Sequence, residues 1–200
     1  MQKKFQKKLF IISLVCTALV FSGCHKIENR ERREKIITPM PTVLVKTCEE
    51  KITRERKRIS GNSMSPLLQN NDRVMLLHKY YEICEIKPKK GDLIAYDYVG
   101  EKIPIIKVLV ATSEDFLQIK NNTLWINGEE YKNSGNQKYN FSKGELAMLQ
   151  LYIKNNHIKK DRYFILGDNI SNSRDSRRFG AISSQKILGK FELMRNHDTL

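Results

Sequence analysis

The four cysteines of this 200-residue chain, Cys16, Cys24, Cys48 and Cys84, form no C-x-x-C pair and share no spacing with histidine that suits zinc. A zinc site is thereby set aside, and no RNA-binding aromatic signature or zinc-finger spacing is present. No internal repeat or low-complexity tract interrupts the chain. The longest N-terminal apolar run, Leu9 to Gly23, has 15 residues, short of the ~20 that span a bilayer comfortably. Acidic residues are also scarce, 22 against 36 basic, for a formal net charge of +14. That balance favours polyanions, and beside an apolar N-terminal segment the expected partner is an anionic membrane surface and not nucleic acid.

What is present begins with Lys3, Lys4, Lys7 and Lys8 ahead of the apolar run, then Ser22-Gly23-Cys24. A basic head, a short apolar stretch and small residues form an export signal, so the remainder is expected outside the cytoplasm. Phe21-Ser22-Gly23-Cys24 is similar to a bacterial lipobox, whose cysteine becomes the lipid-modified first residue. Lipidation at Cys24 is the favoured reading, and an uncleaved short membrane anchor is the alternative. Either places the protein at the outer face of the cell membrane. Residues 1–24 are thus a signal or anchor and 25–41 a charged linker. A folded domain is expected over 42–200, opening with a strand at Thr42 to Val45. In it Cys48 and Cys84 either pair or remain buried thiols, the second being the simpler reading.

The domain reads as mainly β. Glu49 to Arg58 is a solvated face or hairpin; Asp72 to Leu77, Leu93 to Tyr96, Ile103 to Val110 and Tyr163 to Leu166 are buried strands. Phe116 to Ile119 and Thr123 to Ile126 make a hairpin, and Asn127-Gly128 is a strong turn dipeptide. Glu130 to Asn140 reads as a polar surface excursion, and Leu146 to Ile153 as one short helix.

Three stretches carry chemistry. Ser60 to Leu68 is a small-residue turn that delivers Ser63 ahead of Met64 and Pro66, with Gly61 allowing close backbone approach. A serine hydroxyl becomes a nucleophile only beside a base and with donors for the developing oxyanion. Strand periodicity places Lys107 with Ile105 and Leu109, and the opposite face holds Ile106, Val108 and Val110. Neither face is polar, so the lysine is expected to be desolvated and its neutral amine available as a base. Gly167 to Gly180 alternates hydroxyl and amide side chains with charges, a loop suited to hydrogen-bonding internally and orienting other groups.

Taken together, Ser63-Met64-Ser65-Pro66, Gly91-Asp92, Lys107, Ile126-Asn127-Gly128 and Gly167-Asp168-Asn169-Ile170-Ser171-Asn172-Ser173-Arg174-Asp175-Ser176-Arg177-Arg178-Phe179-Gly180 resemble, in order, the motifs of the type I signal peptidases. The resemblance covers roughly residues 59–194. It implies an antiparallel β-sheet fold with a catalytic core and a smaller inserted β region. It also implies Ser63 as nucleophile, Lys107 as general base, Ser173 as a hydroxyl on the lysine amine and Asp175 with Arg177 as a supporting ion pair. Met64, Gly167, Asp168 and Asn169 are further motif positions. Gly61 stands where some members carry a second oxyanion hydroxyl. The motif after the lysine departs from the family pattern, with Val108, Ala111 and Ser113-Glu114-Asp115 keeping only the final Asp, and Ile170 stands where Arg is common.

The implied activity is removal of signal peptides from secreted precursors by a Ser/Lys serine endopeptidase that needs no metal or organic cofactor, with precursor proteins and membrane lipids as partners and no nucleic acid. The rivals are a Ser/Lys peptidase dedicated to one precursor, such as a pilin or conjugative-transfer component, and an inactive surface lipoprotein retaining the fold. A self-cleaving repressor is disfavoured because no helix-turn-helix segment precedes the serine.

Overall fold

The structure is a computed structural model that describes residues 48–100 and 103–194. The signal or anchor segment, the linker, the strand expected at Thr42 to Val45 and Cys24 lie outside the described residues. Among the described residues from Arg54 onward there are twelve strands and three short α-helices. They are β1 Arg54–Arg58, β2 Arg73–His78, α1 Tyr80–Ile83, β3 Leu93–Tyr96, β4 Ile105–Ala111, β5 Leu117–Lys120, β6 Thr123–Ile126, β7 Glu129–Glu130, α2 Lys143–Gln150, β8 Ile153–Lys154, β9 His157–Ile158, β10 Arg162–Leu166, α3 Ser176–Phe179, β11 Ile182–Ser183 and β12 Ile187–Leu193. The expected mainly β, antiparallel architecture is what the chain adopts. No helix among the described residues is long and apolar enough to cross a membrane.

Seven strands form one antiparallel sheet in the order β1-β2-β12-β3-β4-β10-β11. The late strand β12 enters between β2 and β3, a long-range pairing that the local pattern of Ile187 to Leu193 does not announce. A three-stranded sheet, β5-β6-β7, and the β8-β9 hairpin lie between β4 and β10 in sequence, matching the expected inserted region. Their turns are made by Asn121-Asn122, Asn127-Gly128 and Asn155-Asn156, all at positive φ. Asn and Gly tolerate the left-handed backbone that two-residue hairpins require. The helix read over Leu146 to Ile153 runs instead over Lys143–Gln150: Ser142 and Glu145 form a capping box at its start, and Ile153 belongs to β8. Within the last motif, Asp175 caps a helical turn, α3, where the sequence reads only as loop.

Ile59 to Asp72, the connection from β1 to β2, positions the site. Its base is closed by Ile59 N–H to Asp72 O at 2.9 Å and Asn71 N–H to Ile59 O at 2.8 Å. Met64 and Leu68 turn inward onto Val74, Leu76, Ala95 and Phe191, each burial contributing about 1.5–3 kcal/mol. The connection therefore lies across β2, β12 and β3, and Ser63 meets Lys107 of the next strand, β4. Met64 is only 1% exposed, so it belongs to the core and not to the surface around Ser63.

Cys48 and Cys84 are joined as a disulfide with their Cα atoms 5.1 Å apart, so the reading as two buried thiols is corrected. Ile52, Leu77 and Tyr80 pack around the bridge and bring together two segments that sequence spacing leaves unrelated. The sequence separation is 36, and a loop of that size restricts the unfolded chain by about 3–4 kcal/mol. Cys48→Ser with Cys84→Ser is expected to lower unfolding free energy by that order in urea titrations. An unchanged midpoint would show that the bridge contributes nothing to stability.

Candidate active site

Lys107 lies on β4 opposite Ile94 of β3. Pairing of β4 with β10 ends at Leu166 and Val108, so Ile105 to Lys107 have a strand partner on one side only among the described residues. The lysine is 2% exposed. Its chain folds back so that Nζ donates to Ile106 O at 2.8 Å, and the same nitrogen stands 2.9 Å from Ser63 Oγ. Burial pushes the amine down to about 8, with the Asp175 carboxylate pulling weakly the other way. Desolvation dominates because water stabilises the ammonium far better than the surrounding side chains do. The result is a nitrogen with a usable lone pair near neutral pH, touching a hydroxyl from a segment 44 residues away.

The Gly167-Asp168-Asn169 turn after β10 holds the serine in place through three different contacts. Asn169 donates from its backbone N–H to Ser63 O at 3.1 Å and from its amide to Asn62 O at 3.0 Å. Asp168 accepts from the Leu67 N–H at 2.9 Å and the Ser134 N–H at 2.9 Å, and also from the Ser134 hydroxyl. A Cβ on Gly167 would stand 2.0 Å from Ser173 Oγ and 2.5 Å from Ser63 O. Close approach of backbone to backbone thus requires glycine here. The turn is itself braced by Asp175, which accepts from Gly167 N–H at 3.0 Å and binds Arg177 through two parallel hydrogen bonds of 2.9 and 2.8 Å. That pair is buried, and its fork geometry gives orientation as well as attraction.

Other expected positions fall differently. Ser173 is buried, and its hydroxyl has no hydrogen-bond partner among the described residues, so the bond to the lysine amine implied by the resemblance is not formed. The hydroxyl is instead pressed against Gly167. Gly61 sits at φ +89 with its N–H given to Asn70 Oδ1 at 3.1 Å, closing the turn ahead of Ser63. Asp92 accepts from Tyr81 OH and Lys89 N–H, each at 2.9 Å, which makes Gly91-Asp92 a brace for the start of β3. Asp115, the residue kept from the lysine motif, accepts from Thr112 N–H at 2.8 Å and Asn127 Nδ2 at 2.7 Å. It ties the end of β4 to the Asn127-Gly128 turn. Among the described residues no cluster of three or more His, Cys, Asp or Glu could hold a metal ion.

The stretch read as a surface excursion, Glu130 to Asn140, is corrected in part. Tyr139 is 1% exposed and donates from its hydroxyl to Gly167 O at 2.9 Å. Buried Asn133 donates to Asp168 O at 2.9 Å. Both hold the glycine turn from behind. Their polar neighbours hide them in the sequence; the aromatic residues Tyr131 and Tyr139 in an otherwise hydrophilic run are the one available signal.

A family model described as signal peptidase, peptidase S26, matches residues 33–195. Signal peptidase I P of Bacillus subtilis subsp. natto is 32% identical over 139 residues, which are 68% of this chain and 74% of that protein. Signal peptidase IB of Staphylococcus aureus (strain COL) is 30% identical over 141 residues, 66% of this chain and 72% of that protein. Among solved structures, a signal peptidase I from Enterococcus faecalis V583 covers 55% of this chain and 97% of its own, at 22% identity and a TM-score of 0.35.

Two glycines test the packing account with opposite signs. Gly167→Ala is expected to cost about 1–3 kcal/mol through overpacking, seen as a lower urea midpoint. Gly144→Ala, in α2 with nothing within 4 Å of the new methyl, is expected to raise stability by up to about 1 kcal/mol. Equal effects at the two positions would contradict the contact assigned to Gly167.

Proposed function

Because the chain belongs to the signal peptidase family, peptidase S26, we propose that it cleaves signal peptides from secreted precursors as a serine endopeptidase, with Ser63 as nucleophile and Lys107 as general base. The observation that carries this reading is the 2.9 Å approach of Lys107 Nζ to Ser63 Oγ at a nitrogen whose burial depresses it to about 8. At pH 7 roughly one amine in ten is neutral, enough for a base working near its own titration range.

In the proposed reaction neutral Lys107 takes the Ser63 hydroxyl proton as Oγ bonds to the scissile carbonyl carbon. The negative oxygen of the tetrahedral intermediate is met by the backbone N–H of Ser63. The Gly61 N–H is occupied by Asn70 and is assigned no part in it. As the C–N bond breaks, Lys107 gives its proton to the leaving amine and an acyl ester remains on Ser63. Lys107 then takes a proton from water as the water attacks the ester carbonyl, and returns it to Ser63 Oγ when the C–O bond breaks. The open side of β4 at Ile105 to Lys107 offers main-chain groups to an extended precursor lying beside the serine.

The same reading tethers the catalytic domain to the outer face of the membrane through residues 1–24, with Cys24 as the proposed lipidation site. Small side chains such as Ala are expected at the first and third positions before the cut. Neither a single-precursor specialist nor an inactive lipoprotein has an observation in its favour.

Purified protein with a precursor carrying Ala at both small-residue positions provides the test. Ser63→Ala is expected to abolish cleavage with the fold intact by circular dichroism, and Lys107→Ala to lower it by at least about 10²–10⁴-fold. Near-normal turnover by either variant at pH 7 would overturn the assignment. For the wild type, kcat/KM is expected to rise about tenfold per pH unit below 8 and level off above it, since the deprotonated amine is the active form. A profile flat from pH 6 to 9 would exclude Lys107 as the base.

A further inference from the structure

The segment that carries Asn133 and Tyr139 lies outside every motif of the peptidase resemblance, yet it ends on the backbone that holds Ser63. Both of its limbs are tied to β6, by Tyr131 N–H to Leu124 O at 2.8 Å and by Leu124 N–H to Tyr139 O at 3.3 Å. Between the limbs a turn closes on itself, with Asn133 N–H to Gln137 O at 2.9 Å and Asn136 N–H to Asn133 O at 3.0 Å. Gln137 N–H also donates to Asn133 Oδ1 at 2.8 Å. That bond fixes which way the amide points, so Nδ2 faces Asp168 O, 2.9 Å away. Tyr139 OH takes the preceding carbonyl, Gly167 O, at 2.9 Å. Two successive carbonyls of the glycine turn are thus held by buried side chains of the inserted region.

A peptide unit is planar, so fixing its carbonyl also aims the N–H on its far side. Asp168 O and Asn169 N–H belong to one such plane, and that N–H meets Ser63 O at 3.1 Å. Asn169 Nδ2 meets Asn62 O at 3.0 Å, and Asn62 O shares its plane with Ser63 N–H, the donor assigned to the oxyanion. The planes before and after Ser63 therefore both take their orientation from Asn169, and the plane of Asn169 N–H takes its own from Asn133. We infer that Asn133 and Tyr139 are positioning residues for Ser63, carrying the rigidity of β6 through Gly167-Asp168-Asn169 to the Ser63 N–H. The inference rests on the peptidase reading for its effect on turnover, and not for the contacts themselves. That effect falls on the alignment of the reacting groups and not on precursor binding, so it belongs to kcat and spares KM.

Asn133→Ala and Tyr139→Phe test the relay, the second by removing a single oxygen from a ring that keeps its packing. They are assayed on a precursor with Ala at both small-residue positions, at a temperature where circular dichroism shows them folded. Each is expected to lower kcat by about ten- to a hundredfold, with KM within about twofold of wild type. A contact that serves stability alone would lower the urea midpoint and leave kcat unchanged, which would overturn the inference. Hydrogen exchange gives a reading independent of cleavage. Asn169 N–H is expected to exchange at least about tenfold faster in each variant, while Leu109 N–H, bonded to Asp92 O at 2.8 Å, keeps its wild-type rate. A fall in kcat with Asn169 exchange unaltered, or exchange quickened equally at Leu109, would also overturn it. If the wild type cleaves no precursor while Asn169 exchange still responds, the contacts to the Ser63 backbone stand and the peptidase reading fails.

Discussion

A lysine nitrogen kept out of water and against a serine hydroxyl is the constraint on which the rest of this structure depends. An ammonium loses most of its solvation when its residue is only 2% exposed, and the protein supplies little to replace it: the Ser63 hydroxyl, one main-chain carbonyl and a carboxylate that acts at a distance. The proton is therefore weakly held. A better-placed carboxylate would stabilise the charged form and remove the basicity the proposed reaction needs. The nearby Asp175 is engaged by Arg177 and by Gly167 N–H, which keeps its strongest interactions away from the lysine.

Keeping the hydroxyl at that nitrogen is a packing problem solved from two sides. From below, Met64 and Leu68 anchor the serine connection on the sheet, carrying it across three strands to β4. From the side, Asn169 and Asp168 fasten the backbone before and after Ser63, and the missing side chain of Gly167 lets the two segments meet. These contacts join residues more than 100 apart in sequence, so the site exists only when the large sheet is complete. The specificity of the glycine-aspartate-asparagine motif follows: each residue type performs a contact that its neighbours in the alphabet do not.

Much of this was legible from sequence. Val74 to Leu77, Leu93 to Tyr96 and Tyr163 to Leu166 are short apolar runs between turn residues, and they became buried strands. Lys107 stood out because a charge within an apolar strand demands an explanation. What stayed hidden depends on contacts between distant segments. The insertion of β12 between β2 and β3 is a choice of partner that no local pattern records. The Cys48 to Cys84 bridge depends on a Cα separation set by the fold. Asn133 and Tyr139 were masked by hydrophilic neighbours, and the Ser173 hydroxyl, without a partner among the described residues, departs from the bond that the resemblance implied because its side chain packs on Gly167.

The most direct measurement is the titration of Lys107 itself, followed through the lysine side-chain carbons in the carbon-13 NMR spectrum of the folded protein, with Lys107→Arg used to assign the signal. One lysine is expected to titrate with a midpoint near 8 and to vanish from the spectrum of the variant. A Lys107 signal titrating near the ordinary lysine value of about 10.4 would contradict the account, because the amine would then be fully charged wherever the enzyme is expected to act.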